Sequence, residues 1–515
     1  MQKFIFYLIL LLLPVTILPQ IVGSGVIAKI GNDEITEQEF ISRYELTPQV
    51  NAGILGMEEA LKKEVLYSLI AEELWALEAN EMEFSKSDMI KYTYKVYEEM
   101  YVRDALYREE ILSKVKLSDD YLAEAFRRNS QILQVNYLFS STKDEIDLLY
   151  NLLSATAYFD SLLAIRPENA LQTEPYYVGY GQMEKPVEDI LYSLEIGHYT
   201  KPIEAPDGWY IFKLMKIGQN ILMNPEQADV EQKKVLKIAR TTITDSIVHN
   251  FYESFFSDIT AETNNAIFHQ FAEEVIKYLS ERKQNENIPD GKEIYLKPDD
   301  LYRIENDLGD ENLNDLFIEL EDQPLTLKEF IQYFAFESFA VDTIDNNMIM
   351  GKLNLHVKRF IEHKLLSREG YRRGLQFSPE VQQKIKMWRA YYLSNALRNE
   401  MLENIEVADD EALNSFQRKN NGSKLAADFE KVKDKIKTEL KYQKFSKVII
   451  DKTIELANKY SVEINQELLE SLEVTNTTTV FYHYLGFGGR LLAVPMTIPN
   501  YNWVEPWLEQ EILVP

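Results

Sequence analysis

The chain has 515 residues, which at roughly 150 residues per domain indicates three or four domains. Its 83 acidic and 55 basic residues give a formal net charge of −28. A surface this acidic repels phosphate groups, so the composition argues against a nucleic-acid-binding protein. There are no cysteines, which excludes disulfides, thiolate zinc sites, thiol nucleophiles and a lipid anchor on cysteine, but does not fix the redox compartment.

The N-terminus has the three-part pattern of an export signal. Lys3 supplies a positive charge, Phe4 to Leu13 is an unbroken apolar run, and Pro14 interrupts it before small residues follow. An uncleaved membrane anchor is the competing interpretation, since 4–22 is just long enough to span a bilayer. A buried N-terminal helix of a cytosolic protein is the third. We expect residues 1–22 to be a signal peptide, or otherwise an anchor.

The chain repeats itself at an offset of 290 residues. Leu325 to Phe334 resembles Ile35 to Tyr44, and Val407 to Phe416 resembles Leu117 to Phe126. Between these segments, both copies contain two stretches with apolar residues at spacings of three and four, which predict long helices. Two similarities at one offset, flanking similar patterns, indicate an internal duplication.

A segment of mixed type interrupts the first copy. It predicts a strand at 133–139, a helix at 144–163, a glycine-containing turn at 177–183, a short helix at 186–194 and a hairpin at 196–217. A helical stretch then runs from about Pro225 to Leu279. The second copy has no such segment, so we expect a helical framework with one α+β insert.

The sequence GYGQMEKPVEDILYSLEIGHYTKPIEAPDGWYIFKL, from Gly179 to Leu214, resembles the second half of a parvulin-type peptidyl-prolyl isomerase domain. The opening VIAKIGNDEITEQEF, from Val26 to Phe40, resembles the start of the SurA-like periplasmic chaperones. The order of signal, helical segment, parvulin insert and returning helix is also similar to that family. The resemblance implies a mainly α fold, with two SurA-like helical modules and one inserted α+β parvulin-like domain.

On this basis the chain divides into eight segments. They are a signal or anchor (1–22), a helical module (23–130), the parvulin-like domain (131–218), a helical return segment of the first module (219–280), a linker (281–314), a second helical module (315–420), its return segment (421–475) and a tail packed on the body (476–515). In the tail we expect strand structure at 477–482, because threonine and aromatic residues favour strands.

The resemblance also assigns a candidate site. Family parvulins carry a histidine on the first strand and another on the last, and Tyr137 and Tyr210 occupy those positions here. Met183 matches the substrate-pocket methionine, while Val187 and Tyr192 stand where residues line the proline pocket. Tyrosine hydroxyls donate and accept hydrogen bonds but do not titrate near neutral pH. We therefore expect weak or lost isomerase activity; the alternative is that both tyrosines are simply core aromatics.

Isomerisation of an X–Pro bond needs no cofactor or nucleophile, only a dry pocket and placed donors that favour the twisted amide. The six histidines show no H-E-x-x-H motif, so no metal or other cofactor is predicted. The expected partners are unfolded or proline-containing polypeptides, with no nucleic acid, and with a membrane only through an uncleaved N-terminal segment.

The resemblance implies an ATP-independent periplasmic chaperone (holdase) for unfolded envelope and outer-membrane proteins. It would be exported, or anchored in the inner membrane and facing the periplasm. Two alternatives stay open: an active prolyl isomerase acting on exported proteins, and a scaffold that binds one fixed partner.

Overall fold

The computed structural model describes residues 25–48, 54, 56–155, 157–165, 175–220, 225–320, 323–419, 429–475 and 481–512. The predicted signal peptide lies outside these residues. The chain divides into two compact units. We call Met1–Leu106 with Ala261–Pro515 the outer unit, and Tyr107–Thr260 the inserted unit.

The first part of the outer unit is a β-hairpin followed by helices. Its elements are β1 (Val26–Ile30), β2 (Asp33–Thr36), α1 (Glu37–Glu45), α2 (Glu58–Glu81) and α3 (Asp88–Glu110). Gly31 forms the hairpin turn with a φ of 58°, which favours glycine. Thr36 begins α1, because its side chain accepts a hydrogen bond from the Glu39 backbone N–H at 3.2 Å.

The inserted unit is the predicted α+β domain with one helix before it and one after. Its elements are α4 (Asp119–Asn129), β3 (Gln131–Ser140), α5 (Lys143–Ala155), α6 (Phe159–Ala164), β4 (Tyr176–Val178), α7 (Lys185–Ser193), β5 (Ile203–Ala205), β6 (Gly208–Gln219) and α8 (Pro225–Phe256). The sheet is antiparallel with strand order β4-β3-β6-β5. Leu138 and Ile211 on one sheet face are buried against Ile146, Leu149 and Leu153 of α5.

The remaining elements return to the outer unit. They are β7 (Ala261–Thr263), α9 (Asn265–Asn285), β8 (Ile294–Tyr295), α10 (Pro298–Asn314), β9 (Leu316–Leu320), β10 (Leu325–Thr326), α11 (Leu327–Phe334), β11 (Ala340–Val341), α12 (Asn346–Arg372), α13 (Pro379–Glu403), α14 (Asp409–Lys419), α15 (Lys433–Tyr460), β12 (Val462–Ile464), α16 (Gln466–Ser471), β13 (Tyr482–Tyr484), β14 (Arg490–Leu492) and α17 (Val504–Ile512). The described chain is therefore mainly α with one inserted α+β domain, which confirms the predicted fold class.

The predicted duplication is visible in the order of these elements. The series β1, β2, α1, α2, α3 recurs as β9, β10, α11, α12, α13, and we call the two series the first and second repeats. In both, a short 3₁₀ turn separates the two long helices, at Phe84–Lys86 and at Leu375–Phe377. Thr326 caps α11 as Thr36 caps α1. The two similar sequence segments therefore correspond to the same elements with the same caps in each repeat.

The two repeats exchange their third strands. Each forms a three-stranded sheet, with orders β12-β1-β2 and β10-β9-β7. Ala28 pairs with Ile464, and Ile318 pairs with Thr263, so each third strand comes from the chain that follows the other repeat. The sequence pattern had assigned each return segment to the module before it. The structure instead has the arrangement of a domain swap within one chain.

The long helices are exchanged in the same way. On α3, Glu99 pairs with Lys364 of α12 at 2.8 Å, and Arg103 donates to Ser367 at 3.0 Å. Helix α2 packs on α13, where Arg389 donates to Asn80 at 2.9 Å. The two repeats consequently share their helical cores and form one compact unit.

The segment 281–314, expected to be a linker, is folded. Helix α9 extends to Asn285, and α10 begins at Pro298 and buries Leu301 and Ile304 in the core of the second repeat. The polar run at 281–291 suggested a linker because most of its side chains are exposed, although its first part completes a helix. The helical stretch expected from Pro225 to Leu279 is likewise divided by β7.

The C-terminal residues contribute to the outer unit's core. Trp503 is fully buried, and its ring centroid lies 5.4 Å from that of Trp507. Both belong to the cluster that contains Trp75 of α2. No helix in the described parts of the chain has the length and hydropathy needed to cross a bilayer.

Candidate functional site

Strand register places the two tyrosines of the candidate site on one face of the inserted unit's sheet. Tyr137 of β3 is opposite Phe212 of β6, and Phe139 is opposite Tyr210. Successive side chains in a strand alternate between faces. Leu138 and Ile211 therefore point to the opposite face, where they pack against α5.

These four rings form a continuous aromatic layer. The Tyr137 and Tyr210 ring centroids are 5.5 Å apart in a T-shaped arrangement, and Tyr210 stacks on Phe212 at 5.6 Å. Phe139 lies 5.0 Å from Tyr210. Both tyrosines and Phe139 are half-buried, so part of the layer is accessible to solvent. Such a layer offers apolar area with polar edges.

The two hydroxyl groups have different surroundings. Tyr210 donates a hydrogen bond to Asp207 at 2.6 Å, and burial together with this bond raises the pKa of Tyr210 to about 12. The turn that holds Asp207 needs Gly208, whose φ is 150° and where a Cβ would lie 2.5 Å from the Ser140 carbonyl oxygen. Among the residues that the structure describes, the Tyr137 hydroxyl has no hydrogen-bond partner, so it can donate to a bound chain.

The other three candidate residues lie at the same cluster. Met183, Val187 and Tyr192 are half-buried and pack, like both tyrosines, around a core that includes Leu191 and Phe212. The structure therefore brings all five predicted residues together. Their roles in binding or catalysis stay predictions.

Tyr192 is held by α4 as well as by the cluster. Its hydroxyl donates to the Arg128 carbonyl at 3.2 Å, and the Arg128 guanidinium lies 5.1 Å from the ring centroid. Burial and the nearby Glu188 carboxylate raise the pKa of Tyr192 to about 12. These contacts leave Tyr192 better placed to support the cluster than to donate to a ligand.

Sequence reasoning did not identify several members of the site. Phe139 and Phe212 complete the aromatic layer, and Leu194 and Ile203 pack at its margin. The alternation of residues along β3 and β6 could have placed Phe139 and Phe212 beside the tyrosines. The bond from Tyr210 to Asp207 depends on the turn geometry, which the sequence pattern does not specify.

The arrangement is suited to binding rather than to covalent chemistry. Burial keeps the pKa of Tyr210 far above neutral, so this group does not exchange protons at physiological pH. In the parts of the chain described, no three histidine, aspartate or glutamate side chains are grouped as a metal site. What remains is an apolar aromatic surface with one unengaged hydroxyl donor.

Comparisons with known proteins give partial structural matches. No protein-family model and no curated protein matches the chain. The solved structures that match include PrsA, a peptidylprolyl isomerase from Bacillus anthracis, at 15% identity over 37% of this chain and 96% of that chain, with a TM-score of 0.20. The foldase PrsA from Streptococcus pneumoniae matches at 16% identity over 44% of this chain and 91% of that chain, with a TM-score of 0.19.

A third match comes from work on two SurA-like chaperones of Campylobacter jejuni, the virulence factor PEB4 and the periplasmic protein Cj1289. It has 15% identity over 47% of this chain and 100% of that chain, with a TM-score of 0.21. The matched chains are thus PrsA and SurA-like proteins. At these TM-scores and identities the matches carry no functional argument, and the function is argued from the residues.

Proposed function

We propose that this protein is an ATP-independent chaperone that holds unfolded, proline- or aromatic-containing polypeptides, and that its parvulin-like domain binds them with little or no isomerase activity. The observation that carries the proposal is the half-exposed aromatic layer, with tyrosines at both positions where the parvulin family has histidine. The layer would bury apolar side chains of a client, and its hydroxyl groups would bind the client backbone.

The proposed loss of catalysis rests on the surroundings of the two tyrosine hydroxyl groups. The barrier to rotating a peptide bond is about 18–20 kcal/mol, and catalysis requires donors that bind the twisted amide better than the planar one. The Tyr210 hydroxyl already donates a hydrogen bond to the Asp207 carboxylate. Only Tyr137 is left to stabilise the twisted amide, whereas the family uses two imidazoles.

Export fits this proposal. The N-terminal pattern of 1–22 supports secretion, and a chaperone that acts without ATP, as proposed, suits a compartment that lacks ATP. We propose that the protein acts in the periplasm on envelope proteins, including outer-membrane proteins. We also propose that 131–218 is the parvulin-like domain.

The proposal is tested with two assays on the purified mature chain. Prolyl cis/trans exchange of an X–Pro peptide is measured by NMR, and suppression of aggregation is measured with a chemically unfolded protein. We expect strong suppression without measurable acceleration of exchange. Tyr210→Ser should weaken suppression because it interrupts the aromatic layer, whereas Tyr158→Ser should not. Tyr158 is the matched control, since it is 80% exposed in the same domain and outside the cluster.

An active isomerase is the second candidate, because the Tyr137 hydroxyl is unengaged among the described residues. In that case exchange would be accelerated and Tyr137→Phe would abolish the acceleration, while Tyr210→Phe would reduce it less. A chain that neither suppresses aggregation nor accelerates exchange would contradict both functions.

A further inference from the structure

The hairpin of β13 and β14 in the outer unit exposes a run of aromatic residues. Phe481, Tyr482 and Tyr484 are 44%, 51% and 72% exposed, and His483 between them is also exposed. Side chains on both faces of this strand are therefore accessible. An exposed aromatic edge strand can pair with another chain and so promote aggregation. Proteins usually protect such edges with charged residues, bulges or covering segments.

The hairpin's turn is fixed in the outer unit. The Gly486 N–H donates to Asp104 at 2.7 Å, and Gly488 packs so closely on α12 that a Cβ there would lie 2.2 Å from His363 Nε2. Leu491 is buried in the cluster that contains Trp388. The turn of the hairpin is thus held by the outer unit, whereas β13 is exposed. Because the turn is held, β13 keeps a defined conformation.

The register shows which backbone groups of β13 face outward. Tyr482 lies opposite Leu492, and the Ala493 N–H donates to the Phe481 carbonyl at 2.9 Å. In an antiparallel ladder, hydrogen-bonded pairs alternate with non-hydrogen-bonded pairs. The N–H and C=O groups of Tyr482 and Tyr484 consequently point away from β14. Within the described ranges, no third strand pairs with this edge.

The electrostatic character of the hairpin differs from that of the whole chain. Arg490 is its only Lys, Arg, Asp or Glu between Phe481 and Leu492, in a protein of net charge −28. The guanidinium lies 4.0 Å from the Tyr482 ring centroid and 5.5 Å from that of Tyr484. Among the described residues it has no carboxylate partner.

We propose that β13 is a binding edge for an extended segment of unfolded polypeptide, which adds as a third strand. The segment carries apolar side chains at alternate positions and a carboxylate near Arg490. Backbone hydrogen bonds to Tyr482 and Tyr484 supply affinity that depends little on sequence, as in other cases of strand addition. This inference rests on the proposed chaperone function and names a client site outside the inserted unit.

Charge favours a client over a second copy of this chain. Two copies each carry a formal charge of −28, so their overall electrostatic interaction is repulsive. Although Arg490 belongs to β14, its guanidinium lies over the Tyr482 ring of β13, so a carboxylate on an added client strand can approach it on that face of the sheet.

The test measures hydrogen–deuterium exchange of the mature chain with and without a short capped peptide that alternates phenylalanine and threonine and contains one glutamate. We expect slower exchange at 481–485 when the peptide is bound. Tyr484→Pro removes an outward N–H without removing a bond to β14, and it should weaken peptide binding about tenfold. The matched variant Tyr484→Thr keeps the N–H and should bind more tightly than Tyr484→Pro.

A second variant keeps the test valid if Tyr484→Pro does not fold. Arg490→Gln should abolish the preference for the glutamate peptide over the same peptide with lysine. Peptide binding without protection at 481–485, or equal binding by Tyr484→Pro and Tyr484→Thr, would overturn the inference. So would protection that rises with protein concentration in the absence of peptide, which would indicate pairing with a second copy.

Failure of this inference is distinguishable from failure of the proposed function. If the wild-type chain suppresses aggregation while 481–485 gain no protection, only the edge site is wrong. If the wild-type chain does not suppress aggregation, the chaperone function itself is wrong.

Discussion

The two repeats connect their first two helices through different pairs of side chains. In the first repeat, Arg43 of α1 donates two hydrogen bonds to Glu72 of α2, at 2.8 and 2.9 Å. At the position 290 residues later, Tyr333 of α11 lies 2.9 Å from Nδ1 of His363 on α12. The first site holds a buried ion pair. The second pairs a tyrosine with a histidine, and Tyr333 also donates to the Glu337 carboxylate at 3.0 Å. The shared backbone therefore accommodates hydrogen-bonded pairs of different charge at the same place.

Buried titratable groups at or beside these two pairs give the repeats different responses to pH. In the first repeat, burial and the nearby Glu39 carboxylate together raise the pKa of Glu73 to about 8, while Lys386 opposes the shift. In the second repeat, burial lowers the pKa of His363 to about 2, and the nearby Arg103 contributes in the same direction. His363 occupies the position of Glu72, the neighbour of Glu73 in the chain, and burial holds both Glu73 and His363 in their neutral forms.

The largest expected effect is a difference in stability loss between substitutions at Arg43 and at Tyr333. Arg43→Met leaves Glu72 buried without its partner and should lower the free energy of unfolding by about 3–5 kcal/mol. Tyr333→Phe removes the hydrogen bond with His363 and the bond that Tyr333 donates to the Glu337 carboxylate at 3.0 Å, and it should cost about 1–3 kcal/mol. Urea unfolding followed by tryptophan fluorescence measures both.

The double variant Arg43→Met with Glu72→Leu is the control for the ion pair. It removes both charges and should recover most of the stability lost in Arg43→Met. Equal destabilisation by Arg43→Met and Tyr333→Phe would show that the two sites do not differ energetically.

The next effect is a pH dependence of opposite sign in the two repeats. His363 binds a proton more readily in the unfolded chain, so stability is lost as pH falls below about 6.5. Glu73 binds its proton more readily in the folded chain, so its contribution is lost as pH rises from about 4.5 towards 8. His363→Gln should remove up to about 2 kcal/mol of the acid-induced loss, and Glu73→Gln should remove a similar part of the loss between about pH 4.5 and 8. Urea titrations at several pH values measure how the unfolding free energy of each variant changes with pH. The same pH dependence in the two variants would contradict the proposed difference between the repeats.

The smallest effect concerns the turn between the long helices. Glu83 has a φ of 65° and the equivalent Gly374 a φ of 76°, a conformation that costs L residues free energy. Gly374→Ala should therefore lower the unfolding free energy by about 1 kcal/mol, and Glu83→Gly should raise it by about 0.5 kcal/mol. Gly351 is the control, because it lies inside α12 with open space around it, and Gly351→Ala should stabilise the helix. Thermal unfolding would refute the strain argument if Gly374→Ala and Gly351→Ala shifted the midpoint equally.

The candidate site was predictable in part. The resemblance identified Tyr137 and Tyr210, and the structure brings them within 5.5 Å of each other. Their separation depends on the pairing of β3 with β6, which the strand signals supported. The hydrogen bond from Tyr210 to Asp207 was not predictable, because it depends on side-chain rotamers at a turn.

The sequence by itself determined the duplication, the two long helices of each copy, and the presence of one α+β insert. These features arise from local hydrogen bonding and from the period of apolar residues, which act over a few neighbouring positions. Tertiary structure alone decided that β7 and β12 exchange repeats, that 281–314 is folded, and that Arg43 and Tyr333 find different partners. Strands of three residues carry too little pattern to choose between two similar edges, and the entropy of closing a long loop changes only slowly with its length. The packing of the whole outer unit therefore makes that choice.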